Sequence, residues 1–238
     1  MNNLNFKPQE FGLKIDYLYE VLATTYSIDE KSKKIVPNAS CMGIRLLKNN
    51  MISIHPFPST ITYNNLRENS FFVINFVDNV YLYALAALKE SNSHIGLTEF
   101  PFKFYNFKEL KSKNVSLPYI KKAWAYLICE EAEQIEKVKR SALGDYKAIE
   151  FRLKVLESKK LKDSFNLFNR AENLAIESII LATRIKIAKK NNNQDLYDKF
   201  HNQINLNLEK IDRFGKNDKA LKAVNLVKKF IENLFIGS

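Results

Sequence analysis

A change of hydropathy period near residue 157 constrains this chain more than any other feature. Up to about residue 156 the apolar residues alternate. Tyr17, Tyr19, Val21 and Ala23 share one face, with Asp16, Glu20 and Leu22 among those on the other. Farther along, Ile149, Phe151, Leu153 and Val155 alternate with Glu150, Arg152 and Lys154. A period of two places successive side chains on opposite sides of a half-buried strand. The segment Ala123-Trp124-Ala125-Tyr126-Leu127-Ile128-Cys129 is apolar on both faces, which predicts a strand covered on both sides. Two short helices, over 60–69 and 78–89, interrupt the strands. Many strands with few helices predict a barrel. Residues 91–118, with Pro101, Pro118 and loosely spaced aromatics, read as a long excursion holding one short strand at 103–107.

Beyond Glu157 the period becomes helical. Asn169 can cap a helix with Glu172 three residues on. Leu196, Phe200, Ile204, Leu208 and Ile211 form a stripe of period 3.6 that stops at Gly215. Leu221, Val224, Val227, Ile231 and Leu234 repeat it up to Gly237. The expected architecture is therefore a β-barrel plus α, with a barrel domain over 1–157 and a helical appendage over 158–238. About three helices would make the appendage, packed on the barrel or on a sister chain.

Composition removes several function classes. No apolar run approaches the ~20 residues that span a bilayer, and the polar start Met1-Asn2-Asn3-Leu4-Asn5 is no secretory signal. Two cysteines, Cys41 and Cys129, suit a reducing cytoplasm, where this chain is expected. With three scattered histidines they give no metal-site spacing. The net charge is +11, but the lysines are spread along the chain, and groups such as Lys189-Lys190 flank Asn-rich turns. That distribution describes a solvated surface rather than a nucleic-acid patch, and its field favours an anionic ligand. There is no G-x-S-x-G, H-E-x-x-H, Walker or G-x-G-x-x-G motif.

The stretch Ile54-His55-Pro56-Phe57-Pro58-Ser59-Thr60-Ile61-Thr62-Tyr63-Asn64-Asn65-Leu66 reads as a strand end, a hydroxyl-rich turn and a helix start. Orphan N–H groups and the positive dipole end attract phosphate there. Ser and Thr are equally ordinary N-caps, so residues 59–62 leave both readings open.

The wider order of motifs is more specific. Pro37-Asn38-Ala39-Ser40-Cys41-Met42-Gly43-Ile44-Arg45 opens a strand, the hydroxyl turn follows, and Phe71-Phe72-Val73-Ile74-Asn75-Phe76 leads to Asp78-Asn79-Val80. Gly12-Leu13, Tyr19-Glu20-Val21-Leu22-Ala23-Thr24-Thr25, Trp124-Ala125-Tyr126-Leu127, Phe168-Asn169-Arg170-Ala171 and Ala182-Thr183-Arg184 extend the pattern over most of the chain. In this order the sequence resembles the FMN-binding split-barrel proteins, and within them the largely archaeal DUF447 family. The resemblance implies non-covalent FMN, a homodimer with each flavin near the subunit interface, and an oxidoreductase. The hydride would pass between a nicotinamide or other reduced carrier and an unknown small molecule. The rival classes are a flavin carrier or sensor without turnover, and an RNA-binding basic protein.

The expected cofactor residues follow. Ser59, Thr60 and Thr62, with Asn65, form the phosphate cradle, and Arg45 or Arg67 adds charge; Arg67 is equally a solvated helix residue. His55 stands where the family more often has arginine, and is otherwise a strand-end residue. Asn38, Ala39, Ser40, Met42 and Gly43 line the flat side of the cofactor through an edge strand, Gly43 permitting close approach. Asn75 caps the next turn or reaches the flavin. Trp124 and Tyr126 are core or interface aromatics, and Cys41 a small buried residue. Arg184 pairs with Glu177 or Glu172, or reaches the active site. No metal and no catalytic side chain is implied.

Overall fold

Six antiparallel strands close a barrel in the computed structural model, which describes residues 6–90, 96–141, 144–163, 170–213 and 217–236. The elements in chain order are β1 (Leu18–Ile28), β2 (Ile35–Leu46), β3 (Ile52–Ile54), α1 (Ile61–Asn69), β4 (Phe71–Phe76) and α2 (Val80–Ala87). Then come β5 (Tyr105–Leu110), β6 (Val115–Ile120), β7 (Ala125–Ser141), β8 (Gly144–Lys160), α3 (Arg170–Lys190), α4 (Gln194–Arg213) and α5 (Asp218–Ile236). The barrel order is β1-β2-β3-β8-β7-β4, closed by β4 on β1. The barrel and the three C-terminal helices are the two parts that the two hydropathy periods predict.

The alternation sorts the barrel residues as expected. Val21 and Ala23 of β1, Met42, Ile44 and Leu46 of β2, and Phe151, Leu153 and Val155 of β8 point into one core. Each large side chain buried this way contributes about 1.5–3 kcal/mol. Tyr63 and Leu66 of α1 join that core, and the Tyr63 ring meets Phe151 edge-on at 5.6 Å. Helix α1 thus covers one end of the barrel.

The outward faces of β4 and β7 are covered too. Val73, Tyr126 and Ile128 pack with Tyr26, Leu110 and Leu117 in a second cluster, so the apolar run at 123–129 is buried on both faces. Its cover is the two-stranded sheet of β5 and β6. The strand expected at 103–107 runs over Tyr105–Leu110 instead, and its partner β6 lay unrecognised in the excursion. Pro118 hid it, because a proline argues against a central strand, yet a two-stranded sheet has only edges. Its carbonyl accepts the Thr24 hydroxyl at 2.5 Å.

The chain divides into two compact units, 1–77 with 102–164, and 78–101 with 165–238. The division expected at 157 is thus drawn differently. Strand β8 continues to Lys160, and α2, expected to interrupt the barrel, belongs to the helical unit. Asn79 caps α2 by accepting the Tyr81 N–H at 3.1 Å. Within this unit the predicted stripes are buried: Phe200, Ile204, Leu208 and Ile211 of α4, and Val224, Val227 and Ile231 of α5. Asn169, Gly215 and Gly237, expected as helix ends, lie outside the described residues. No described helix is long and apolar enough to cross a membrane.

Candidate functional site

Strand β3 ends at Ile54 and the chain turns through Pro56–Ser59 into α1. Thr60 is the N-cap, with extended backbone. Its hydroxyl accepts the Tyr63 N–H at 3.3 Å and donates to the Phe57 carbonyl at 2.7 Å. Its carbonyl accepts the Asn64 N–H at 3.2 Å. Tyr63 and Asn64 are thereby satisfied. The N–H groups of Ile61 and Thr62 have no partner among the described residues, nor has the exposed Ser59 hydroxyl. Those three donors, at the positive end of a helix dipole, suit an anion. Thr60 therefore takes the capping alternative, while Ser59 and the backbone remain open to a ligand.

Thr62 takes neither role with its side chain. It is buried, and its Oγ1 accepts from Asn38 Nδ2 at 3.1 Å and is hydrogen-bonded to Ser40 Oγ at 2.8 Å. Asn65, one helical turn on, donates from Nδ2 to Thr25 Oγ1 at 3.1 Å, and Asn38 Nδ2 reaches the same oxygen at 3.4 Å. Thr25, Asn38 and Ser40 share the inward face of β1 and β2, because Thr25 stands opposite Asn38 in the ladder. Thr62 and Asn65, at i and i+3, present the matching face of α1. The structure thus joins four expected residues, Asn38, Ser40, Thr62 and Asn65, around one that sequence reasoning missed. Thr25 was visible only as a hydroxyl on an otherwise apolar face.

The rest of the β2 segment is sorted by its edges. Along β1 it pairs from Ile35 to Arg45, but along β3 only from Ile44 to Leu46, so among the described residues 38–43 have a strand neighbour on one side. Ala39 is fully buried and Met42 belongs to the barrel core. A Cβ on Gly43 would stand 3.0 Å from Leu18 Cδ1, so the glycine admits Leu18 rather than a ligand. Arg45, exposed, donates from Nη1 to the Asp16 carbonyl at 2.7 Å. It lies five residues along β2 from Ser40, about 17 Å in an extended strand. Arg67 sits in the last turn of α1, its Nη1 at 3.4 Å from Tyr63 Oη. Neither arginine adds charge at the helix start.

Asn75 has a different role from the two expected. It is fully buried, and its Nδ2 donates to the Leu22 carbonyl at 3.0 Å and to Thr24 Oγ1 at 3.1 Å. Its Oδ1 accepts the Ile120 N–H at 2.7 Å. It therefore fastens β4 to β1 and β6 and leaves the helix cap to Asn79. Tyr126 is a core aromatic, 4.9 Å from the Tyr119 ring, and burial raises its pKa. Trp124 packs on Phe76 at 5.2 Å. Cys41 is partly exposed, and Arg184 is exposed and pairs with neither glutamate among the described residues.

His55 joins a second cluster. Its Nε2 lies 3.6 Å from Oε2 of Glu150, which is 3% exposed. Lys137 pairs with the same carboxylate, and Arg152 Nε donates to it at 3.2 Å while its Nη1 donates to Glu133 at 3.0 Å. Burial opposes the Glu150 charge, but hydrogen bonds from Lys137, Arg152 and Ser53 outweigh it and lower the pKa to about 2. Glu150 read in sequence as an ordinary polar partner of the β8 alternation. Among the described residues no cluster of His, Cys, Asp and Glu could hold a metal.

Residues 19–162 match the model of the N-terminal domain of the DUF447 family, a protein family of unknown function. The chain belongs to this family. The match contains the barrel strands and the α1 turn. The FMN-bound DUF447 protein MM1853 of Methanosarcina mazei has a similar crystal structure, with a TM-score of 0.68 at 16% identity over 94% of this chain and all of that one. The likeness shows that the two chains share a fold. More distant are the flavin reductase HpaC complexed with NADP+ and the flavoredoxin of Desulfovibrio vulgaris. HpaC has a TM-score of 0.43 at 17% identity, over 66% of this chain and 87% of its own. For the flavoredoxin the TM-score is 0.41 at 17% identity, over 67% and 76%. No curated protein matches the sequence.

Proposed function

We propose that this chain binds FMN with its phosphate at the start of α1, and that it is an oxidoreductase. Hydride would pass between a nicotinamide or other reduced carrier and a small molecule. The observation that carries this reading is the trio of donors without a partner among the described residues, Ile61 N–H, Thr62 N–H and Ser59 Oγ–H, in a chain whose family includes an FMN-bound protein of the same fold. The donor set fits the group. Two backbone amides and a hydroxyl give an anion three hydrogen bonds without a compensating carboxylate on the same turn.

The roles divide by element. Ser59 and the first turn of α1 grip the phosphate. Asn38 and Ser40 fix that turn against β2, whose one-sided edge flanks the ring. When bound, FMN supplies a ring that accepts or gives hydride, which explains why no nucleophile–base pair is needed. Phe57 and Ile61, 52% and 59% exposed, form an apolar rim beside the donors. In a homodimer a second copy would cover them and keep water from the ring.

Purified protein is expected to carry flavin absorbance, and anaerobic NADH or NADPH to bleach it. Colour without bleaching by either nucleotide would favour a carrier that does not turn over. Colourless protein that takes up no added FMN contradicts the reading altogether.

A further inference from the structure

We infer that Thr25 is the positioning residue of the phosphate turn, an inference that rests on the FMN reading. Its side-chain oxygen has two lone pairs, and two amides aim at it: Asn65 Nδ2 of α1 at 3.1 Å and Asn38 Nδ2 of β2 at 3.4 Å. Thr25 is 1% exposed, Asn65 4% and Asn38 9%, so water does not replace these partners at little cost.

The hub acts at two points on the helix. Asn65 is held directly. Thr62, one turn nearer the N-terminus, is held through Asn38, whose amide bridges Thr25 and Thr62. Two anchors on one face of a nine-residue helix fix both its depth and its rotation. The unpaired N–H groups of Ile61 and Thr62 therefore point in a direction set from β1, by a residue that touches no ligand. Being neutral, the hub imports no carboxylate that would repel an anion.

The test compares FMN with riboflavin, which differs only by the phosphate. Dissociation constants come from flavin fluorescence titrations of the full chain, for wild type, Thr25→Val and Thr25→Ser. Valine keeps the shape and removes the acceptor. FMN affinity is expected to fall about tenfold in Thr25→Val, the scale of one to two lost hydrogen bonds, while riboflavin affinity changes less than about threefold. Thr25→Ser is expected to restore FMN binding to within about threefold. A folded Thr25→Val that binds FMN like wild type overturns the inference. So does an equal loss for FMN and riboflavin, which marks a merely structural role. If Thr25→Val does not fold, Asn65→Leu breaks the same hub from the helix side, and the same selective loss is required of it. Wild-type protein that binds neither flavin removes the FMN reading and this inference together, a result distinct from the others.

Discussion

Two polar clusters border the turn between β3 and α1, and they are built from opposite materials. Beneath α1, Thr25, Asn38, Ser40, Thr62 and Asn65 join through hydroxyls and amides alone. On the wall of β3, β7 and β8, a buried Glu150 is shared by Lys137, Arg152, Ser53 and His55. The difference follows what each must hold. A helix start that offers donors to an anion needs fastening without added negative charge, and neutral groups supply it. A strand pair needs only attachment, and a carboxylate held by two cations is strong there because it is out of water. His55, which stands where the family more often has arginine, falls in the second cluster, so the proposed phosphate site relies on backbone donors and Ser59.

This contrast can be broken most strongly at Ser59. Ser59→Asp places a carboxylate among the open donors, and FMN affinity should fall on the order of 100-fold, with riboflavin little affected. A flavin titration measures both. A smaller effect comes from Glu150→Ala, which leaves four cationic or donor groups around an empty position. Urea unfolding should show a loss of about 3 kcal/mol, with FMN affinity of the folded fraction nearly unchanged. If Glu150→Ala weakens FMN as Ser59→Asp does, the clusters are not separate.

Acidity sharpens the same distinction. The Glu150 pKa is lowered from 4.5 to about 2 in the folded state, so its charge stabilises the fold above pH 4.5. That contribution disappears as pH falls from about 4.5 to about 2. Thermal melts over this range should lose less stability in Glu150→Gln than in wild type, while the neutral hub contributes no such slope. The smallest expected effect is at the cap. Thr60→Ala removes one capping bond and should cost about 1 kcal/mol in the same unfolding experiment.

Much of this was legible in the residues, for physical reasons that also mark where legibility ended. Period two on β1 and β8 and period 3.6 on α4 and α5 identified barrel and helices, because one face of each element is buried. The start of α1 was legible because Thr60 is a capping residue. Helix α2 was recognised but misassigned: Val80–Ala87 is apolar all round, so no stripe says which core it serves. Long-range partners were the other gap. Asn75 looked available for a ligand until β1 and β6 claimed its amide, and Gly43 looked open until Leu18 filled the space beside it. Thr25 gave no local signal, since its partners Asn38 and Asn65 lie 13 and 40 positions away, and Glu150 gave little, since Lys137 and His55 lie 13 and 95 positions away.

The most direct measurement is the affinity of the wild-type protein for FMN against riboflavin under identical conditions. Two backbone donors and a hydroxyl on the phosphate predict FMN binding at least about 100-fold tighter. Equal affinity for the two flavins would contradict the assignment of the α1 start to the phosphate.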